Sequence, residues 1–376
     1  MVAVQDCPVL LAVDGNSLVH RSFHSQAGTG LRAPDGRPLW AIRGLLTQLV
    51  AAAERICPAA IVVGFDDPVT SHRRINWPQY KAGRTEKLAT LVSQLDGAAE
   101  VLRDMGIAVI VPDGLEADDV LASAASFAPR VGARTVIMTS DRDAFALIDE
   151  HTRVLRIING GVDASPLLTP DLLQVLLGIR PEQYRDYAAL RGDPSDNLPG
   201  VRGVGAKTAA RLLAALGSAA AVFEDLAAGG GNVRAAVGAA VTKRLAEPES
   251  RTAWELNCQV MRMHHDLELG LEIGGGRGAL PLDPAAVGSA FRAHQLTWTT
   301  PAALQHLAYQ DPPERRVEQA WAAEHDPARQ PAATSGRPSR GTHAPVGSAR
   351  SGRRYGKLAK HAGPPPDAAV QLSLFD

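Results

Sequence analysis

VLLAVD (residues 9–14) is an unbroken apolar run that stops on a carboxylate, and the same pattern returns as AIVVGFD (60–66) and TVIMTSD (135–141). Short apolar runs of this kind, alternating with longer segments of helical period, predict a parallel sheet wrapped by helices. The predicted strands are Val9 to Val13, Ala60 to Phe65, Ile107 to Val111, Thr135 to Thr139 and Val154 to Ile157. Between them, Leu39 to Glu54, Lys87 to Met105 and Asp118 to Phe127 read as helices. From Thr169 to about Leu226 strand signals disappear, and short helices punctuated by Gly and Pro predict a helical subdomain.

Acidic residues stand where the predicted strands end: Asp14, Asp66, and Asp141 with Asp143. Ligands of a parallel sheet bind at the C-terminal ends of its strands. Glu116, Asp118 and Asp119 open a helix, and Asp193 and Asp196 lie in the helical region beyond. Taken singly, Asp118 or Asp119 reads as a helix N-cap. As a set, these nine carboxylates predict a shared cleft. Like charges packed closely repel and raise one another's pKa, so the cluster requires cations. Oxygen donors without His or Cys favour magnesium or manganese over zinc. Two such ions about 4 Å apart would activate a water and stabilise the leaving oxygen of a phosphodiester.

Five blocks carry a resemblance: LLAVDGNSLVHRSFH (10–24), GFDDPVTSHRRINWPQYKAGR (64–84), GLEADDVLA (114–122), MTSDRDAFALI (138–148) and RGDPSDNLPGVRGVGAKTAARLL (191–213). In order and spacing they resemble the bacterial 5′→3′ exonuclease and flap endonuclease family, across roughly residues 8–300. The resemblance implies a PIN-like α/β nuclease core over residues 1–168, with a parallel sheet flanked by helices. Asp14, Asp66, Glu116, Asp118, Asp119, Asp141, Asp143, Asp193 and Asp196 occupy the family's metal-site positions, and none of that pattern is missing.

Residues 67–86 form a long, polar, basic connection, of the sort usually reserved for function. His72, Arg73, Arg74, Lys81, Arg84 and Lys87 supply positive charge for phosphates, and Trp77 and Tyr80 offer faces for unpaired bases. A solvated basic loop is the plainer reading. By resemblance the segment is the family's helical arch, with Arg73, Tyr80, Lys81 and Arg84 on matching positions. Lys81 and Arg84 are the candidates for stabilising the scissile phosphate, and Arg21 matches a family position near Asp14. In GVRGVGAKTA (200–209), Gly203 and Gly205 form a turn opening into a helix that carries Lys207, Thr208 and Arg211. Backbone N–H groups there hold a phosphate without reading bases. The block resembles the family's helix-three-turn-helix over 191–213, within a helical DNA-binding subdomain over 169–309, and implies a bound potassium ion.

Composition bounds the rest. The 376 residues, 45% hydrophobic and with a net charge of -1, describe a chain that can bury a sizeable core and is not an obvious nucleic-acid binder by bulk charge. Cys7, Cys57 and Cys258 lie far apart, with neither disulfide nor zinc spacing, which fits a reducing cytoplasm. No signal or membrane span is expected.

Residues 310–370 are rich in Pro, Ala, Gly, Ser and Arg and are expected to be a disordered linker. Eight Arg or Lys and no acid fall between Pro327 and Lys360. The last residues, 371–376, break this pattern with Gln371, Leu372, Ser373, Leu374 and Phe375. That pentapeptide is similar to the bacterial sliding-clamp-binding motif. A linker of about 60 residues has a root-mean-square reach of about 40 Å, enough to sample DNA beside a clamp.

The expectation is a metal-dependent deoxyribonuclease of replication and repair acting at junctions of a 5′ single strand with duplex DNA, alongside a separate polymerase and ligase. Two rivals are a PIN-type ribonuclease, which leaves the hairpin unused, and a non-catalytic clamp-tethered binder of branched DNA, which leaves the acids unused.

Overall fold

The computed structural model describes residues 7–296 and 299–309. The linker 310–370, its basic stretch and the clamp-like motif 371–376 lie outside the described residues. The chain runs β1 (Val9–Asp14), α1 (Gly15–Gln26), α2 (Trp40–Ile56), β2 (Ala60–Gly64), α3 (His72–Asn76), α4 (Ala89–Asp104), β3 (Ala108–Ile110) and α5 (Ala117–Arg130). It continues through β4 (Arg134–Thr139), β5 (Thr152–Arg156), α6 (Gly161–Ala164) and β6 (Leu167–Leu168). A helical stretch follows: α7 (Pro170–Leu177), α8 (Tyr184–Arg191), a small ribbon of β7 (Gly192–Asp193) and β8 (Leu198–Pro199), then α9 (Ala206–Leu216) and α10 (Ala219–Ala227). After α11 (Gly231–Val237), α12 (Ala239–Leu245) and α13 (Pro248–Val260), the described chain ends with α14 (Pro284–Ala293) and α15 (Thr300–Ala303).

The six strands form one sheet in the order β3-β2-β1-β4-β5-β6, parallel except for β6, which pairs antiparallel with β5. Every residue of β1 is buried, because both faces of the sheet are covered. Successive side chains of a strand alternate between faces. Val9, Leu11 and Val13 pack with α1, α2, α4 and α14, while Leu10 and Ala12 pack with α5 and the helices that follow β6. This explains why the strands read as continuous apolar runs rather than alternating ones. β1 pairs with both β2 and β4, so the chain order reverses at its C-terminal edge. That edge is a topological switch point, the place where open α/β sheets bind ligands.

One helix was not anticipated, and two expectations need correction. The polar segment after Asp14 is a full helix, α1, started by the Asp14 side chain accepting from Ser17 N. The segment 67–86 is helical only over α3; the remainder is irregular chain with turns over 78–83. The end of the span assigned to a helical subdomain instead returns to the sheet. Leu280 N donates to Ala59 O at 2.9 Å, Ala279 bridges to Ala60, and Leu282, Phe291 and Leu307 join the α2–α4 side of the core. Among the described residues no single helix is long and apolar enough to cross a membrane.

Candidate active site

The three strands meeting at the switch point each end on an acid. Asp14 is the last residue of β1, Asp66 follows β2 and Asp141 follows β4. With the start of α1 and α5 they surround a cleft of about 640 Å³. Seven of the nine candidate carboxylates line it: Asp14, Asp66, Glu116, Asp118, Asp141, Asp143 and Asp196. Asp193 stands outside the lining and accepts Ser195 N and Oγ at 2.8 and 2.7 Å. Asp119 is turned away and fully buried. Its carboxylate accepts two bonds from Arg73, one from Glu116 N and one from His264 N.

Neutral groups hold the cleft acids in place. Thr139 Oγ1 donates to Asp14 Oδ2 at 2.7 Å and accepts from Asp141 N at 2.9 Å, joining the ends of β1 and β4 through one buried hydroxyl. Asn16 grips Asp66 from both sides, donating Nδ2–H to Oδ2 and accepting from the backbone N at 3.2 Å. Ser17 and Ser140 share a hydroxyl contact across the same junction. The sequence reading missed all four residues. Their only signal was adjacency to a strand-end acid, which small polar residues share with any N-cap or turn.

Burial first, then the Asp141 and Asp66 charges, push the Asp14 carboxyl up to about 7, despite the bonds from Ser17 and Thr139. Asp118 and Asp143 are also raised well above the usual carboxylate range, by desolvation and then by Asp141. Full ionisation of this group in isolation is therefore costly. The donors are oxygen throughout, which fits a hard divalent cation. Among the described residues no three His, Cys, Asp or Glu side chains converge on one point closely enough to hold an ion alone. The acids instead ring a space, an arrangement in which part of an ion's shell is water, as magnesium commonly retains.

The opposite wall is built differently. Glu116 Oε2 accepts from Arg73 Nη1, Tyr80 OH and Lys81 Nζ, each at 3.0 Å. Arg84 pairs with Asp196, and Lys81 N donates to Asp196 O at 2.9 Å. Burial works against the charge of Glu116, but Lys81 and Arg73 outweigh it and hold the carboxyl below its ordinary range. Burial likewise opposes the Arg73 and Lys81 charges, and their acid partners outweigh it and raise both. At Asp196 burial wins, and its pKa is raised despite Lys81 and Arg84.

Two roles expected of the basic segment change as a result. Tyr80 is only 5% exposed, packed with Leu198 and Val260, so its ring is not available to stack a base. Arg73 is 8% exposed and does not line the cleft; it ties α3 to α5 and to Arg262 O. Lys81, Arg84 and Lys87 do face the cleft, as do Arg21, which donates to Asn159 Oδ1 at 2.8 Å, and His20 and His24.

Two family models match, "5'-3' exonuclease, N-terminal resolvase-like domain" over residues 9–171 and "5'-3' exonuclease, C-terminal SAM fold" over 179–275. Together they cover more than two thirds of the chain. The chain belongs to the 5′–3′ exonuclease family.

Among curated relatives of this nuclease family, it is 37% identical over 239 residues to DNA polymerase I of Mycobacterium bovis, covering 64% of this chain and 26% of the relative. It is 40% identical over 217 residues to the thermostable DNA polymerase I of Thermus aquaticus, covering 58% of this chain and 25% of the relative. The chain thus matches about a quarter of the length of these relatives. The fold is shared with a T5 5′-exonuclease structure with bound divalent zinc, at TM-score 0.54 and 18% identity, over 80% of this chain and 99% of the other. A bacteriophage T5 flap endonuclease in a pseudo-enzyme–product complex with DNA and metal ions aligns at TM-score 0.53 and 18% identity, over 80% and 100%.

The C-terminal region carries the second predicted surface. α8, the β7–β8 ribbon and α9 form the hairpin, closed where Gly192 meets Gly200. Gly192 has φ +77, and a Cβ there would sit 2.1 Å from Gly200 N; one on Gly200 would sit 2.0 Å from Arg191 O. Buried Asn257 on α13 staples the ribbon by donating to Ala189 O and Pro199 O, both at 2.9 Å. Gly203 turns the chain at φ +81, and Gly205 begins α9 with no side-chain cap. Lys207 and Arg211 are exposed on α9, and Thr208 is half-buried.

Proposed function

We propose that this chain is a divalent-metal-dependent, structure-specific 5′ nuclease that hydrolyses DNA phosphodiesters where a 5′ single strand meets duplex. The observation that carries this reading is the meeting of Asp14, Asp66, Asp118, Asp141 and Asp143 at the switch point, with desolvation and mutual repulsion raising three of them. Those five are the candidate holders of magnesium or manganese, with Glu116, Asp193 and Asp196 at the margin. When bound, such ions supply an activated water and charge neutralisation at the leaving oxygen. Thr139 and Asn16 keep the holding oxygens oriented. Lys81 and Arg84, facing the same cleft, supply positive charge to the scissile phosphate. Gly203, Gly205, Lys207, Thr208 and Arg211 grip the duplex backbone without reading sequence, with potassium as a candidate ion at the turn.

End-labelled flap, nicked and blunt duplexes incubated with and without magnesium, with product lengths resolved, test the assignment. Metal-dependent release of 5′ fragments near the junction is expected. Equal cutting of matched RNA duplexes run alongside, or no cutting of any substrate, would overturn it.

The QLSLF segment at 371–375 is proposed to bind a bacterial sliding clamp. A peptide of the last twelve residues should bind the purified clamp by fluorescence anisotropy at about micromolar concentration, and Leu374→Ala with Phe375→Ala should abolish it. A cytoplasmic setting is proposed from the wide spacing of Cys7, Cys57 and Cys258 along the sequence.

A further inference from the structure

Lys81 has a backbone φ of +56, a left-handed conformation that side-chain-bearing residues avoid unless their surroundings impose it. The surroundings here are two adjacent residues of the loop between β7 and β8. Asn197 Nδ2 donates to Gln79 O at 2.8 Å, and Asp196 O accepts from Lys81 N at 2.9 Å. The two bonds bracket Tyr80, whose ring is clamped beside Leu198 and Val260. Asn197 is itself left-handed at φ +57. That turn lets the carbonyl of one residue and the side chain of the next reach the same stretch of backbone. Asn favours this conformation because its short amide tolerates it.

The consequence is a physical link between two surfaces. A few residues beyond Asn197, past β8, the chain reaches the turn at Gly203 that opens α9. On the other side, the Asn197 amide holds the Gln79 carbonyl, two residues before Lys81, whose ammonium enters the cleft at Glu116. We propose that Asn197 is a positioning residue: it holds the Gln79–Lys81 backbone so that Lys81 Nζ is presented to the cleft, and thereby ties the duplex-gripping hairpin to the chemistry. This rests on the role given above to Lys81.

The test is a double-mutant cycle read by single-turnover cleavage of a 5′-flap substrate in magnesium. Glycine adopts the same φ without strain, so Asn197→Gly removes the amide and leaves the turn. The expected loss in rate is about fivefold, the size of one exposed hydrogen bond, with affinity for the duplex unchanged. In a Lys81→Ala background the same change should cost nothing further, because residues acting through one another are not additive. Asn197→Asp keeps the turn and lacks the donor; it should match Asn197→Gly and decides the matter if the glycine variant melts early. A wild-type rate for both Asn197 variants, or an equal loss in both backgrounds, would overturn the inference. A wild-type rate for Lys81→Ala would sink the role of Lys81 and this inference with it.

Discussion

Asp118 and Asp119 are neighbours on the first turn of α5, yet they belong to different machines. Asp118 points into the cleft, where desolvation and the charges of Asp141, Asp14 and Asp143 make its ionisation costly. Asp119 points the other way, is wholly buried, and is satisfied by Arg73 and two backbone amides. The same contrast separates the two walls of the cleft. Acids at the strand ends are held by hydroxyls and amides and, among the described residues, make no ion pair. Acids facing the basic segment, Glu116 and Asp196, already have Lys81, Arg73 and Arg84. Carboxylates are thus arranged in opposite ways: one wall gathers desolvated, mutually repelling acids, proposed above to hold metal, and the other fixes protein cations in place.

That division makes unequal demands on each residue. On the metal wall, Asp141→Ala should lower cleavage of flap DNA by at least about a thousandfold, the several kcal/mol expected of a lost metal holder, while flap binding persists. Retained cleavage at the wild-type rate in magnesium would erase the contrast. On the cation wall, Lys81→Ala should cost about a hundredfold in the single-turnover rate, with little change in affinity, as for one positioned donor at developing charge. A loss confined to binding would move Lys81 out of the chemistry. Farther out, Lys207→Glu with Arg211→Glu should reduce the slope of log affinity against log salt by about two, since roughly one counterion is released per phosphate contact. An unchanged slope would mean the hairpin does not meet phosphates.

How much of this was legible depended on how local each feature is. The parallel sheet was readable because strands buried on both faces cannot avoid continuous apolar runs, and the strand-end acids were readable because they interrupt those runs. α1 was obscured by its polar, hydroxyl-rich sequence; its start depends on Asp14, which had been read only as a site residue. Residues 279–309 look like the helices before them, and only tertiary contacts with Ala59 and α2 reveal that they return to the sheet. The basic segment was legible as charge but not as geometry. Nothing in RRINWPQYK announces that Tyr80 and Arg73 face inward, since the acids that draw them there come from elsewhere in the chain.

The smallest expected effect is one of stability. A carboxyl whose folded pKa exceeds its unfolded value favours folding when protonated, and that contribution fades as pH rises between the two values. For Asp14 the window runs from 3.8 to about 7. Glu116, lowered in the fold, has the opposite sign, and its contribution is lost only as pH falls below its ordinary range. Metal-free protein should therefore lose a few degrees of thermal midpoint from about pH 5 to 7, and magnesium should restore them at the upper end. A midpoint that rises over this range without metal would contradict the burial of the strand-end acids.

The division between the walls is tested most directly by manganese binding, followed through the electron paramagnetic resonance of the free ion, for wild type, Asp118→Asn and Asp119→Asn. Wild type should take up about two ions in the cleft. Asp118→Asn should lose binding and, without metal, melt no lower than wild type, because a repulsive charge has gone. Asp119→Asn should melt lower, since Arg73 loses a buried partner, yet keep its manganese. Equal loss of manganese in the two variants, or none in either, would contradict the account.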